Sequence, residues 1–570
     1  MKLRLFLAYS FALFMAFPSA QLFAATEAMP GLDFKEWGLI AVQDGGRRKP
    51  MDTLASETLV RLTGQRQVTA FGQVWKPSDF MLSMLLDTHD WRKEPILLVD
   101  FRPLAEKLGL DLTRKHFSYM DLAHAVALPT LVEEAHDTRD AGGKPDRLHT
   151  EAENLAGRMS LFDQVEKGDV FLIVPAPKDA KQAWVLPPNF DTYYSQDQFA
   201  PATEALQALA SAYMAGDAFQ FSSHSHELRV ALRNLSPDVY PGETELGREY
   251  FYNQLRPFDL ASIAYAIGLV FIGLGAWFRL KSRWITGLGL ASTLVGLSLH
   301  ITGMTLRCLI GGRPPVTNMY ESMVWVSSGV LIFALIFFLR YRTVVYLLAA
   351  LPITLSLLLI VGQIPLLLPD NIDPLVPVLR NNYWLTVHVL TITLSYAAFA
   401  LAMGFGHILL FQYLRDPKRA HDDKAMHFWL YRVLQLGVLL LAAGTILGGV
   451  WANYSWGRFW GWDPKETWAL ITLLSYLLVL HGKLAGWWRD FGLAVGSVVC
   501  FLAVVMAWYG VNFVLGVGLH SYGFGIGGES YVMTAIALDL VYVGAATFRY
   551  LRRARPATHT SPELLAQTPA

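Results

Sequence analysis

Nine apolar stretches follow one another between residues 260 and 548, at about 260–278, 284–304, 322–339, 343–363, 384–411, 433–451, 465–482, 492–513 and 531–548. Each is long enough to cross a bilayer as a helix. Inside hydrocarbon every backbone polar group must be satisfied within the protein, so runs of this length are predicted to be α-helices. The 570-residue chain is 16% charged, against roughly a quarter in soluble domains, and its mean hydropathy of +0.33 agrees with a polytopic α-helical membrane protein. Its 47 basic and 47 acidic residues cancel, which argues against a nucleic-acid partner. Both cysteines, Cys308 and Cys500, sit in apolar stretches, excluding a disulfide scaffold, a Cys-x-x-Cys redox pair and a cysteine-built metal site. Histidines, tryptophans and carboxylates are left to carry the chemistry.

Ahead of the spans the composition is different. Residues 1–25 read as a signal peptide or signal anchor, with Lys2 and Arg4 before an apolar core from Leu5 to Phe17. Residues 26–257 are polar and mixed, and are expected to form an exported soluble domain, of undetermined, mixed α/β fold. In it, 96–99 and 170–174 are candidate buried strands and 202–215 a helix. With that domain outside, the segments expected to face inward hold 16 Lys and Arg, against 5 (Arg307, Arg313, Arg380, Arg458, Lys465) in the outer ones. This asymmetry is the one the positive-inside rule requires. Residues 258–548 then form the transmembrane domain and 549–570 a cytoplasmic tail, rich in Pro, Thr and Ala and expected to be disordered.

The densest local signal is Trp451-Ala-Asn-Tyr-Ser-Trp456-Gly-Arg-Phe-Trp460-Gly-Trp462-Asp463-Pro-Lys-Glu466-Thr-Trp468, which holds five of the 17 tryptophans in 18 residues. Tryptophans form interfacial belts, but a belt is shared among spans. Five in one predicted outer loop suit a flat platform for a large planar ligand. Asp463 as N-cap, Pro464 at N1 and Glu466 at N3 spell a capping box that opens the seventh span, so the two carboxylates have a structural task.

Histidines give the second signal. His388, a few residues into the fifth span, and His520, in the loop after the eighth, are both predicted to flank the tryptophans on the outer side. Two neutral imidazoles across an aromatic platform describe an axial pair for haem iron. His481 lies about 13 residues past Trp468, roughly 20 Å down the helix, where it is either an inner haem ligand or a boundary residue. The roles of His300 and His407 are open, while His421 and His427 are placed in a cytoplasmic loop. Asp539 falls mid-membrane in the ninth span with no basic residue at matching depth, and is expected to be neutral and bonded to a carbonyl or a tyrosine hydroxyl.

The run from Trp456 to Trp468, with His481 downstream and Gly518-Leu-His520-Ser-Tyr522, resembles the tryptophan-rich WWD signature of the CcsA (ResC) family of System II cytochrome c biogenesis, within the haem-handling proteins. Pro314–Ser322 resembles a family segment, and Val42–Thr53 the amino-terminal extension of some bacterial members. The resemblance implies that His388 and His520 bind haem b axially beside Trp456, Trp460, Trp462, Trp468 and Asp463, that His481 receives haem from the cytoplasmic side, and that thioethers form with an apocytochrome c Cys-x-x-Cys-His segment. It implies a bacterial inner-membrane holocytochrome c synthase subunit with a CcsB (ResB)-like partner, since no CcsB-like half is present in this chain. A System I type haem lyase or exporter, and a transporter of another solute with a tryptophan belt, are the alternative readings.

Overall fold

The computed structural model describes residues 31–179, 181–278, 282–374, 382–416, 420–421, 423–516, 518, 520 and 527–554. The signal segment, residues 555–570 of the tail, and Tyr522 lie outside the described residues.

Among the described residues nine helices are long and apolar enough to cross a membrane, in the order expected. This is a multi-pass α-helical membrane protein. The spans are Pro257–Trp277, Arg283–Gly311, Met319–Tyr341, Val345–Gln363, Asn382–Arg415, Lys424–Trp456, Pro464–Leu484, the broken helix from Asp490 to Leu515, and Glu529–Ala554. The fifth and sixth spans pack closely. Glycines at 437, 444 and 448 remove side chains from the sixth span where it meets the fifth, so that a Cβ at Gly444 would lie 2.8 Å from the Ile392 backbone.

The sixth helix runs well past its predicted span at both ends. It begins at Lys424, so His427 is a buried helical residue, donating from Nε2 to the Ala420 carbonyl at 2.9 Å, and not part of a loop. At the other end it continues to Trp456 and stops only at Gly457, whose φ of 71° supplies the left-handed cap. The predicted tryptophan loop is therefore three pieces. Trp451 and Trp456 ride the end of the sixth span, Trp460 and Trp462 occupy the connection, and Trp468 belongs to the seventh span.

Residues 31–255 fold around a core of their own, which includes Trp37, Trp75, Trp91, Trp184 and Phe162. Helices dominate this region, with three two-stranded antiparallel sheets. Of the candidate strands, Leu97–Leu98 pairs with His116–Phe117, whereas 170–174 contributes one bridge, Val174 to Val185, and a carbonyl at Leu172 that accepts from Gln43. The helix read at 202–215 starts earlier, spanning Gln196–Ala215.

The segment Val42–Thr53 is tied to the helix that leads from this region into the membrane bundle. Arg47 donates to both Glu249 oxygens at 2.5 and 2.8 Å, and Thr53 Oγ1 adds a third bond of 2.8 Å. Glu249 lies on helix Glu243–Leu255, which passes through Arg256 directly into the first span. Two further pairs, Arg66 with Asp370 at 3.3 Å and Arg147 with Glu529 at 3.1 Å, tie the amino-terminal region to other parts of the bundle end. Beneath them Glu321 accepts from Arg307 and Arg313, each at 2.9 Å, and from the Thr317 amide at 2.9 Å. These three buried charges close the turn 312–318, so two of the five cations assigned to the outer side are interior residues.

Candidate haem-binding site

At the end of the bundle that bears the amino-terminal region, one cavity is lined by residues from the third, fifth, sixth, seventh and eighth spans, among them His388, Trp451, Trp460, Lys465, Trp508 and His520. His388 enters from the fifth span. Its ring lies on Gly448 so closely that a Cβ there would sit 2.5 Å from Cε1, and its Nδ1 donates to the Gly444 carbonyl at 2.7 Å. A carbonyl only accepts, so Nδ1 carries the proton and Nε2 keeps its lone pair.

His520 reaches the same cavity from the turn after the eighth span, and its Nδ1 donates to Asp463 Oδ1 at 2.9 Å. Gly518 makes this approach possible, because a Cβ on it would meet Asp463 Oδ2 at 2.4 Å. The predicted capping box is present, with Asp463 accepting from the Lys465 amide at 3.0 Å and Glu466 accepting from the Asp463 amide at 3.2 Å. Glu466 also accepts from the Gly461 amide at 2.7 Å, which closes the turn around Trp462. Asp463 thus caps a helix and orients an imidazole with the same oxygen, and that second task was not legible in the sequence.

The tryptophans divide by position. Trp456 stands edge-on to the His520 ring, with 4.9 Å between centroids and 88° between planes. Trp451 is 1% exposed and lies between the two imidazoles, 6.5 Å from His388 and 6.0 Å from His520. Trp460 lines the cavity, while Trp462 is 68% exposed and touches the Trp460 edge. Trp468 is half-buried and does not line the cavity. Ala507, Trp508 and Asn512, lining residues the sequence did not single out, are on the eighth span, whose last ten residues, Met506–Leu515, are π-helical. There Trp508 donates from Nε1 to Ser322 at 2.9 Å, and Asn512 donates to the Trp508 carbonyl at 2.9 Å. Insertions of this kind recur at functional sites, because they redirect side chains that a regular helix would turn away.

The remaining histidines are separated by what their ring nitrogens do. His481 sits exposed near the far end of the seventh span, with Nδ1 donating to the Leu477 carbonyl at 2.8 Å, so Nε2 is again the nitrogen left to ligate. His300 is fully buried and uses both nitrogens, on Tyr265 Oη at 3.2 Å and the Val324 carbonyl at 3.0 Å. His407 also uses both, Nδ1 on the Met403 carbonyl at 2.9 Å and Nε2 on Asp539 Oδ1 at 2.7 Å. The expectation that Asp539 lacks a basic partner is therefore wrong. Residues 407 and 539 meet across the fifth and ninth spans, a depth match that charge counting along single spans could not reveal.

A family profile described as "Cytochrome C assembly protein" matches residues 316–520, which contain both cavity histidines. The chain is 35% identical over 282 residues to the cytochrome c biogenesis protein CcsA of Prochlorococcus marinus, covering 89% of that protein and 44% of this chain. It is 33% identical over 294 residues to CcsA of Guillardia theta, covering 92% of that protein and 46% of this chain. Protein NrfI of Wolinella succinogenes is 30% identical over 518 residues, a match that takes in 86% of this chain and so extends into the region ahead of the spans. The chain spans about half of NrfI, 54% of its length. Taken with the nine spans, these matches make this chain a member of the CcsA family of cytochrome c biogenesis proteins.

Proposed function

We propose that the chain binds haem b as its substrate between His388 and His520 and presents it for attachment to apocytochrome c, as the CcsA-like subunit of a System II holocytochrome c synthase. One observation carries this reading. Two imidazoles from distant segments line a single aromatic cavity, and each is tied back through Nδ1 so that Nε2 is the nitrogen left for iron. Residues 26–257 form the extracytoplasmic domain in this proposal, and the bundle end beneath them faces the periplasm from a bacterial inner membrane. The tail 549–570 is cytoplasmic.

His481 is proposed as the ligand that takes haem from the cytoplasmic side, about 25 Å along the seventh span from Pro464. Its exposed ring supplies one imidazole, and a CcsB-like partner would supply the other. Attachment adds each apocytochrome thiol S–H across a haem vinyl group, forming a carbon–sulfur bond with the hydrogen passing to the other vinyl carbon and no net redox change. In that step His388 and His520 hold the iron, Asp463 and Gly444 hold the histidines, and the tryptophans keep water from the macrocycle.

The test is the absorbance of the full chain purified with its partner. A bis-histidine Soret spectrum is expected, lost when either His388 or His520 is changed to alanine and restored in part by added imidazole, which fills the vacated position. Unchanged spectra and undiminished cytochrome c maturation in both alanine variants would overturn the assignment.

A further inference from the structure

An imidazole that ligates iron through Nε2 contains the iron–nitrogen bond in its own ring plane, so a porphyrin bound to it lies across that plane. The Trp451 indole is parallel to the His388 ring, with 7° between the planes. It therefore stands on edge to a porphyrin held by His388 and cannot stack on its face. What it offers such a ligand is its rim, and the polar atom on that rim is Nε1. This N–H is buried and has no hydrogen-bond partner, although the residue is 1% exposed and lines the cavity between both histidines.

A buried donor without an acceptor is unfavourable, and a ligand that supplies the acceptor recovers that loss. Around the edge of haem b stand methyl, vinyl and propionate groups, and of these only the propionate carboxylate is a strong acceptor. We propose that Trp451 Nε1 donates to a haem propionate and so fixes which edge of the macrocycle lies against the sixth span, an inference that rests on haem being the ligand of His388. The vinyl edge is then turned away from Trp451, toward the incoming thiols. Trp451 is a positioning residue in this account, distinct from the tryptophans that could cover the porphyrin face.

The experiment compares reduced haem with its dimethyl ester, which keeps iron, ring and vinyl groups but loses the anionic carboxylates. Titrated into the full purified chain, haem is expected to bind roughly ten-fold more tightly than the ester, the difference that one hydrogen bond to a charged group supplies. Replacing Trp451 by 3-benzothienylalanine, which puts sulfur where the N–H was, should abolish the preference, so that haem and its ester bind alike. A preference that survives this replacement, or none in the unmodified chain, overturns the proposal while leaving the histidine assignment intact. Should the analogue fold poorly, the ¹⁵N-indole resonance of Trp451 provides a second reading. It should shift with haem and stay with the ester, and equal shifts with both would likewise overturn the proposal. Failure of both compounds to give a bis-histidine Soret spectrum would instead remove the haem reading itself.

Discussion

Asp463 Oδ1 accepts from two donors that lie far apart in the chain, the Lys465 amide at 3.0 Å and His520 Nδ1 at 2.9 Å. Opening the seventh span and aiming a candidate iron ligand are therefore one act of hydrogen bonding. An asparagine can still cap the helix and still present a carbonyl oxygen to His520, but it removes the charge that favours a proton on Nδ1. Asp463→Ala removes everything. The cap alone is worth about 1 kcal/mol, and loss of a ligand's orienting partner typically costs ten- to hundred-fold in metal affinity. Haem titration and thermal melts of the two variants should show a mild loss for Asn, and for Ala a loss in both measurements. Equal haem affinity in Asp463→Ala and the unmodified chain would show that His520 needs no orienting partner.

The tryptophans should not be interchangeable. Trp456 touches the His520 ring and Trp460 lines the cavity, whereas Trp462 is 68% exposed and Trp468 lies off the cavity wall. Alanine at 456 or 460 should lower haem occupancy by ten-fold or more, and phenylalanine at the same positions should lower it less, because an aromatic face remains. Trp462→Ala should change occupancy by less than three-fold. Occupancies that fall equally at all four positions, in step with expression, would return the tryptophans to the role of an interfacial belt.

What could be read in the sequence was local. The nine spans follow from apolar length alone, and the capping box from three residues within one turn. Trp451 reads in the sequence as one of five platform tryptophans in a loop, whereas the sixth helix carries it as a buried residue. The spacing Gly444, Gly448, Trp451 sets all three on one helical face and is the signal that could have recovered it. The pairs Asp463–His520 and His407–Asp539 join residues 57 and 132 positions apart, and no pattern within a single span encodes them. The amino-terminal region stayed obscure for a similar reason: its strands are two to four residues long, too short to show alternation.

Gly448 gives the close approach of the fifth and sixth spans a direct test. Its missing side chain is the space that the His388 imidazole occupies, 2.5 Å from where a Cβ would be. Gly448→Ala must push the ring or the helix aside, and overpacking of this kind costs about 1–3 kcal/mol. Thermal melts should fall by that amount, and the Soret spectrum should lose its bis-histidine form as Nδ1 leaves the Gly444 carbonyl. Gly457→Ala, at the helix stop, should lower stability through its left-handed backbone while leaving the His388 geometry and its spectrum in place. If Gly448→Ala melts and absorbs as the unmodified chain does, His388 is not held by that contact.

His407 and Asp539 make the fourth case, and the geometry restricts its protonation. His407 Nδ1 faces a carbonyl and must carry a proton, so one further proton is shared along the 2.7 Å line between Nε2 and Asp539 Oδ1. Whichever atom holds that proton, the pair as a whole is neutral, which is the arrangement a membrane interior tolerates. The ninth span is largely exposed, and Tyr542 joins the same node by donating to the His407 carbonyl at 3.0 Å. The pair is thus placed to hold the last span, and with it the far end of the segment that carries His520, against the bundle. Asp539→Asn offers an amide N–H to the Nε2 lone pair and keeps the pair neutral, and should accumulate and bind haem nearly as the unmodified chain does. Asp539→Leu leaves Nε2 without a partner inside the membrane and should lower the amount of folded protein several-fold. The reciprocal exchange, His407→Asp with Asp539→His, rebuilds the pair with its ends reversed and should recover part of that loss. An Asn variant that accumulates normally yet holds no haem at His388 and His520 would show that the shared proton serves haem handling and not only the attachment of the last span.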